Sequence, residues 1–259
     1  MQLNISDEKS QEVIDYNEYA MSTKEWLFYS GLASIFIFAV IYLFYHSLIF
    51  SVVVSISGVT YPRFKKKSII KKNKMNLNIQ FKDMLYSLSS SISAGRSIEL
   101  AFKEVLKDLS IQYPDSSISI IREVDSIIRK ISMNETVEEA LLEFASRAHL
   151  EDIDNFVDVF MISKRTGGNI VDVIKNSSNI INDKIEIKME IETMLAERKY
   201  EQKILNIVPL AMIVILTETS KDYMMPIFTT FAGRAAMTLC VVLLVISFLI
   251  SSKIMDISI

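Results

Sequence analysis

Cysteine, glycine and proline are scarce in this chain, and each shortage removes a class of answer. A single cysteine, Cys240, excludes an intramolecular disulfide and any cysteine-built metal cluster. Six glycines and four prolines in 259 residues are too few for a β-rich or loop-rich fold. The two histidines, His46 and His149, lie far apart, and neither has evident metal-ligating company. No H-E-x-x-H, no G-x-S-x-G and no cysteine nucleophile motif occurs. Serines are plentiful but lack a His–acid pair, and no paired acids stand in the Gly-Asp setting of a membrane peptidase. A G-x-x-x-x-G-K-[ST] loop is also missing, so the chain carries no nucleotide-hydrolysing signature of its own. The expectation is a protein with no catalytic residue, no metal and no cofactor.

What is present is apolar surface, unevenly spread. Half of the residues are hydrophobic, yet 23% are charged, a mixture expected of a soluble domain flanked by membrane spans. No Asp, Glu, Lys or Arg occurs between Glu25 and Arg63, nearly twice the stretch of about 20 residues that one spanning helix needs. Residues 26–61 read as a transmembrane hairpin turning near Tyr45-His46-Ser47, or as one long tilted helix. An acidic flank and no small-residue cleavage site argue against a removed signal peptide. A second apolar region, residues 204–252, reads as two spans (204–217 and 235–252) around a short external loop, Tyr223-Met224-Met225-Pro226. Pro209 should kink the first or mark its entry. The spans carry no acid or base apart from His46, which is poor equipment for transport.

Charge then orients the chain. Arg63, Lys65, Lys66, Lys67, Lys71, Lys72 and Lys74 follow the first apolar region with no acid among them. Beside a span, such a run marks a cytoplasmic loop facing lipid head groups rather than a nucleic-acid site. Residues 1–25, with six acids and two bases, read as a mobile tail, residues 62–80 as a basic linker, and residues 253–259 as a cytoplasmic tail.

Residues 81–203 have the periodicity of six or seven helices. Phe81, Met84, Leu85, Leu88 and Ile92 share one helical face. Gly95 suits a left-handed helix end, and Ser97 a cap for the next helix, with Ile98, Ala101, Phe102, Val105, Leu106 and Leu109 inward. Further stripes are Ile118, Ile121, Val124, Ile128 and Ile131, then Val137, Ala140, Leu141, Phe144 and Ala148 in a helix starting at Asn134. Ile153, Phe156, Val157 and Phe160 follow and stop at Gly167-Gly168, where Asn169 caps a helix with Ile170, Val173, Ile174 and Ile181 on its face. Thr166-Gly167-Gly168-Asn169 could present backbone N–H groups to a phosphate, but a glycine turn followed by an N-cap is the simpler reading. Ile185, Ile187, Met189 and Ile191 alternate at strand period, yet their Glu, Lys and Met neighbours favour helix. Wound so, Ile181, Ile185 and Met189 form one stripe and Ile187, Ile191 and Leu195 another, so that segment needs two partners, one of them a candidate subunit interface. Short connections imply antiparallel neighbours. The fold class is therefore all-α: an antiparallel cytoplasmic helical bundle between N-terminal and C-terminal transmembrane hairpins.

Four pieces of sequence carry a resemblance. They are Ser93-Ala94-Gly95-Arg96-Ser97-Ile98; Val137-Glu138-Glu139-Ala140-Leu141 with Ala145-Ser146-Arg147; Lys164-Arg165-Thr166-Gly167-Gly168-Asn169-Ile170; and Ile204-Leu205-Asn206-Ile207-Val208-Pro209. In this order, behind a basic loop, residues 47–259 resemble the type II secretion system F-domain family of inner-membrane platform proteins, and most of all the single-domain TadB/TadC type of the Tad (Flp) pilus. Asn134 stands where that family usually has glycine. The resemblance implies a bacterial cytoplasmic-membrane protein that engages a hexameric ATPase and pilin subunits, and pairs with itself or a second platform protein. Lys65, Lys66, Lys67, Lys71, Lys72, Gly95, Arg96, Arg165, Gly167, Gly168 and Asn169 are then candidates for the partner-facing surface. A membrane-bound regulatory or sensor adaptor with a helical partner-binding domain is the alternative.

Overall fold

In a computed structural model, residues 15–19, 21–115 and 118–255 are described, and among them no strand occurs. The chain runs α1 (Thr23–Tyr45), α2 (Leu48–Ser55), a 3-10 turn (Ile56–Thr60), α3 (Tyr61–Ser93), α4 (Ile98–Gln112) and α5 (Ser119–Ser132). It continues through α6 (Val137–Ala148), α7 (Glu151–Thr166), α8 (Ile170–Thr219), α9 (Lys221–Thr229) and α10 (Phe231–Met255). These elements form two compact units. One is Lys67–Ile185 with the described part of the N-terminal segment; the other is Met21–Lys66 with Glu186–Ile259.

The first unit is a bundle built around α3. Phe81 is fully buried, its ring 6.0 Å from Phe144 of α6 and 5.5 Å edge-on from Phe156 of α7. Leu77, Met84, Leu85 and Leu88 continue that stripe, and α4 adds Ala101, Phe102, Val105 and Leu109. Polar links fix the registers: Ser87 donates to Asp108 at 2.6 Å, Tyr113 to Asp83 at 2.5 Å, and Asn78 to Asp152 at 2.8 Å. Lys184 of α8 reaches Asp152 of α7 at 2.5 Å, and Lys164 of α7 reaches Glu138 of α6 at 2.7 Å. The pairs between successive helices (Ser87–Asp108, Asp83–Tyr113, Glu138–Lys164 and Asp152–Lys184) each lie at similar distances on either side of the turn that joins them, so successive helices are antiparallel.

Several local expectations shift. The basic stretch 62–80, read as a linker, is helical and lies within the 33-residue α3. In α5 the buried face is Ile120, Ile121, Glu123, Val124 and Ile127, while Ile118, Ile128 and Ile131 are only partly buried. The fourth predicted helix starts at Val137 rather than Asn134: Thr136 and Glu139 form a reciprocal capping box, and Asn134 is the left-handed residue of the turn (φ 67°). Residues 185–191 are helical within α8, as expected, but of the stripe Ile181, Ile185 and Met189 only the two isoleucines are buried and Met189 is exposed. Part of the expected mobile tail, residues 15–19, is held against this bundle, with Tyr16 in its core. Residues 1–14 and 20 of that tail, and 256–259 of the C-terminal tail, lie outside the described residues.

In the second unit, α1 ends at His46, whose left-handed backbone (φ 49°) reverses the chain. A Cβ on Gly58 would come within 2.6 Å of Ser34 Oγ, so α1 and the 3-10 turn pack backbone to backbone. Lys65 Nζ stands 5.8 Å from the centroid of the Tyr29 ring. The expected loop 223–226 is helical in α9, with Pro226 inside it. Among the described residues three helices, α1, α8 and α10, are long and apolar enough to cross a membrane, and Leu27, Ile35, Leu205, Ile215, Leu243 and Leu249 are all exposed on them. Apolar surface of this extent is what lipid would cover.

Candidate partner-binding surface

Because the bundle helices alternate in direction, the turns after α3, α5 and α7 lie at one end. Each turns on a left-handed residue: Gly95 (φ 83°), Asn134 (φ 67°) and Gly167 (φ 74°). The Gly95 N–H donates to the Ile92 carbonyl at 2.9 Å and the Arg96 N–H to Ser91 at 3.4 Å. At the α7 end, Gly167 and Gly168 both donate to the Ser163 carbonyl, satisfying the last turn of the helix. Gly168 needs its glycine for a different reason, since a Cβ there would meet Ser163 Oγ at 2.6 Å. Asn169 Oδ1 then accepts the Val171 N–H at 3.1 Å, so the chain's own side chain fills the start of α8 that a phosphate could have used.

Charges at this end are arranged around those turns. Backbone N–H and the Ser97 hydroxyl hold the Glu99 carboxyl below the usual carboxylate range, and Lys164 adds to the effect across the gap between α4 and α7. Arg96 pairs with Glu104 at 2.7 Å. Arg165 is exposed and has no ion-pair partner among the described residues. Met133, 75% exposed, caps the end of α5. Arg165 and Met133 are thus exposed on two turns at the same end of the bundle, and both are residue types enriched in protein contacts.

The candidate residues do not form one patch. Gly95, Arg96, Arg165, Gly167, Gly168 and Asn169 share the end just described. Lys67, Lys71 and Lys72 are exposed near the start of α3, and Lys67 is roughly 40 Å from Gly95 along the helix at 1.5 Å per residue. Lys65 is half-buried over Tyr29, and Lys66 is exposed. On α8, Ile187 is 52% exposed, and Ile191 and Leu195 are partly covered. His149 Nε2 lies 3.3 Å from Asp15, whereas His46 lines a shallow cavity of about 290 Å3 with Glu218, Met224 and Phe228.

One cluster went unread in the sequence. Tyr16, Glu123 and Arg147 form a buried network in which Glu123, 4% exposed, pairs with Arg147 and accepts the Tyr16 hydroxyl at 3.0 Å. The signal was present: Glu123 sits among Ile120, Val124 and Ile127 on the inward face, and a carboxylate there requires a partner.

No curated protein and no solved structure matches this chain. Residues 84–217, just over half of the chain, match the family model described as Type II secretion system (T2SS), protein F. That match begins in the core stripe of α3, contains all three glycine- and asparagine-built turns, and ends in the apolar part of α8, so the chain belongs to the type II secretion system protein F family.

Proposed function

We propose that this protein is a non-catalytic platform subunit of a Tad (Flp)-like type IV pilus or type II secretion machine, seated in the bacterial cytoplasmic membrane. The bundle faces the cytoplasm, as the basic run of residues 63–74 beside an apolar hairpin favours. Its task is to couple a cytoplasmic hexameric ATPase to the movement of pilin subunits. The observation that carries this reading is the family match over residues 84–217. It is supported by an exposed bundle end whose turns are fixed by Gly95, Asn134 and Gly167.

In this account the motor docks on Arg96, Met133 and Arg165, with Gly95, Gly167, Gly168 and Asn169 shaping the turns. Lys65, Lys66, Lys67, Lys71 and Lys72 contact anionic lipid head groups or the motor's rim, not nucleic acid. Ile187, Ile191 and Leu195 pair with a second copy or a second platform protein. The test is a pull-down of the detergent-solubilised protein with its host's pilus-type ATPase. Arg96→Glu with Arg165→Glu, and separately Lys65→Glu, Lys66→Glu and Lys67→Glu together, should each weaken capture. Undiminished capture by both variants would remove the proposed docks.

A further inference from the structure

Residues 15–19 are bound to the bundle like a strap. Tyr16 is 7% exposed; its hydroxyl donates to Glu123 at 3.0 Å and its backbone N–H to the Arg147 carbonyl at 3.1 Å. On either side, Asp15 faces His149 at 3.3 Å, and Lys74 donates to Asn17 at 3.0 Å and to the His149 carbonyl at 3.2 Å. The strap residues 15–19 lie outside the family match, whereas Glu123, Arg147 and His149 lie within it. The strap ends at Tyr19 and α1 begins at Thr23. Four residues reach about 14 Å at full extension, less than half of a hydrocarbon core about 30 Å thick.

The hairpin gives a second, independent observation. Ser34 meets Gly58, and Tyr29 meets Lys65. Both pairs are centred on the reversal at His46, so the chain after the turn retraces α1 as far as Tyr29. The return is made by α2, the 3-10 turn and the first turn of α3, none of which is a long apolar helix on its own.

We infer that Glu123 and Arg147 form a socket whose occupant is Tyr16 of the chain's own N-terminal segment. This strap holds the start of α1 on the bundle's side of the membrane, so that the first apolar region crosses twice, with residues 48–65 as the returning leg. The inference does not depend on the platform reading, because it concerns sidedness and not partners.

The test uses the full chain with Cys240→Ser and single cysteines at Lys24, Ser47 or Lys107, the last an exposed bundle position. A membrane-impermeant maleimide is applied to intact cells and to inverted vesicles. Ser47→Cys should label on the side opposite to Lys107→Cys, and Lys24→Cys on the same side as Lys107→Cys; any other pattern overturns the double crossing. For the socket, the thermal midpoint of the solubilised protein should fall for Tyr16→Phe, which loses only the hydroxyl, and further for Tyr16→Ala. Midpoints equal to that of the unsubstituted protein would overturn it.

Discussion

Gly168 lies hard against Ser163: a Cβ there would stand 2.6 Å from the serine hydroxyl oxygen, which would have to turn aside, and 3.4 Å from its carbonyl oxygen. Ser163 is buried, so it has little freedom to move aside. Gly168→Val should therefore destabilise the bundle by about 1–3 kcal/mol, the usual range for forcing extra bulk into a packed site. Thermal unfolding of the detergent-solubilised protein measures this. Gly167→Ala should cost about 1 kcal/mol by another route, the left-handed backbone at φ 74°. An unchanged midpoint in both variants would show that the turn is soft and the packing argument misplaced.

The core and the lipid-facing surface should respond oppositely to truncation. Phe81 is fully buried between Phe144 and Phe156, and Phe81→Ala should cost about 3–5 kcal/mol. Phe36 on α1 is 63% exposed on an apolar span, and Phe36→Ala should leave bundle stability unchanged. Chemical denaturation read by a bundle-specific probe separates the two. Equal losses would mean that α1 and the bundle unfold as one cooperative block.

Two glutamates should give pH profiles of opposite sign. Burial holds the Glu123 carboxyl above the usual range, against the pull of Arg147. A raised folded value means that its contribution is fully present below the unfolded value of about 4.3 and is lost as pH rises through the folded value. Glu139 is depressed, because its carboxylate accepts the Thr136 backbone N–H and the Thr136 hydroxyl. Its contribution is present above the unfolded value and is lost as pH falls. Relative to Glu123→Gln, the unsubstituted protein should lose stability from pH 4 upward; relative to Glu139→Gln, it should lose stability from pH 5 downward. Denaturant midpoints measured from pH 3 to 7 check both signs, and parallel profiles would contradict the assignment.

Much of this architecture was legible in the residues. The stripe from Phe81 to Leu88 and the stops at Gly95 and Gly167 depend on local periodicity and backbone freedom, which a sequence states directly. The family's missing glycine at Asn134 was readable too, because asparagine tolerates the same left-handed backbone. Continuity was harder. Residues 62–80 look like a linker because lysines and asparagines dominate, yet they are helical in line with the core stripe that begins at Leu77. The buried face of α5 includes Ile120 and Ile127 and carries Glu123 to Arg147 and Tyr16, partners distant in sequence that local periodicity does not name. At the candidate surface the residue types were identifiable, but the separation of the lysine run from the glycine turns depended on α3 being one unbroken helix.

The pairing role proposed for α8 can be tested separately. Ile187, Ile191 and Leu195 recur at helical spacing on a segment where Ile187 is 52% exposed. Changing all three to glutamate should abolish cross-linking between copies in native membranes while leaving insertion intact. Cross-linking that persists at the unsubstituted level would assign that stripe to another contact.

The most direct test of the platform role is the filament itself. In the host strain, deletion of the gene should abolish surface pili or substrate export, and the unsubstituted protein should restore them. The Arg96→Glu, Arg165→Glu variant should not, although it inserts at normal levels. Filaments and export that continue unchanged in the deletion strain would contradict the account.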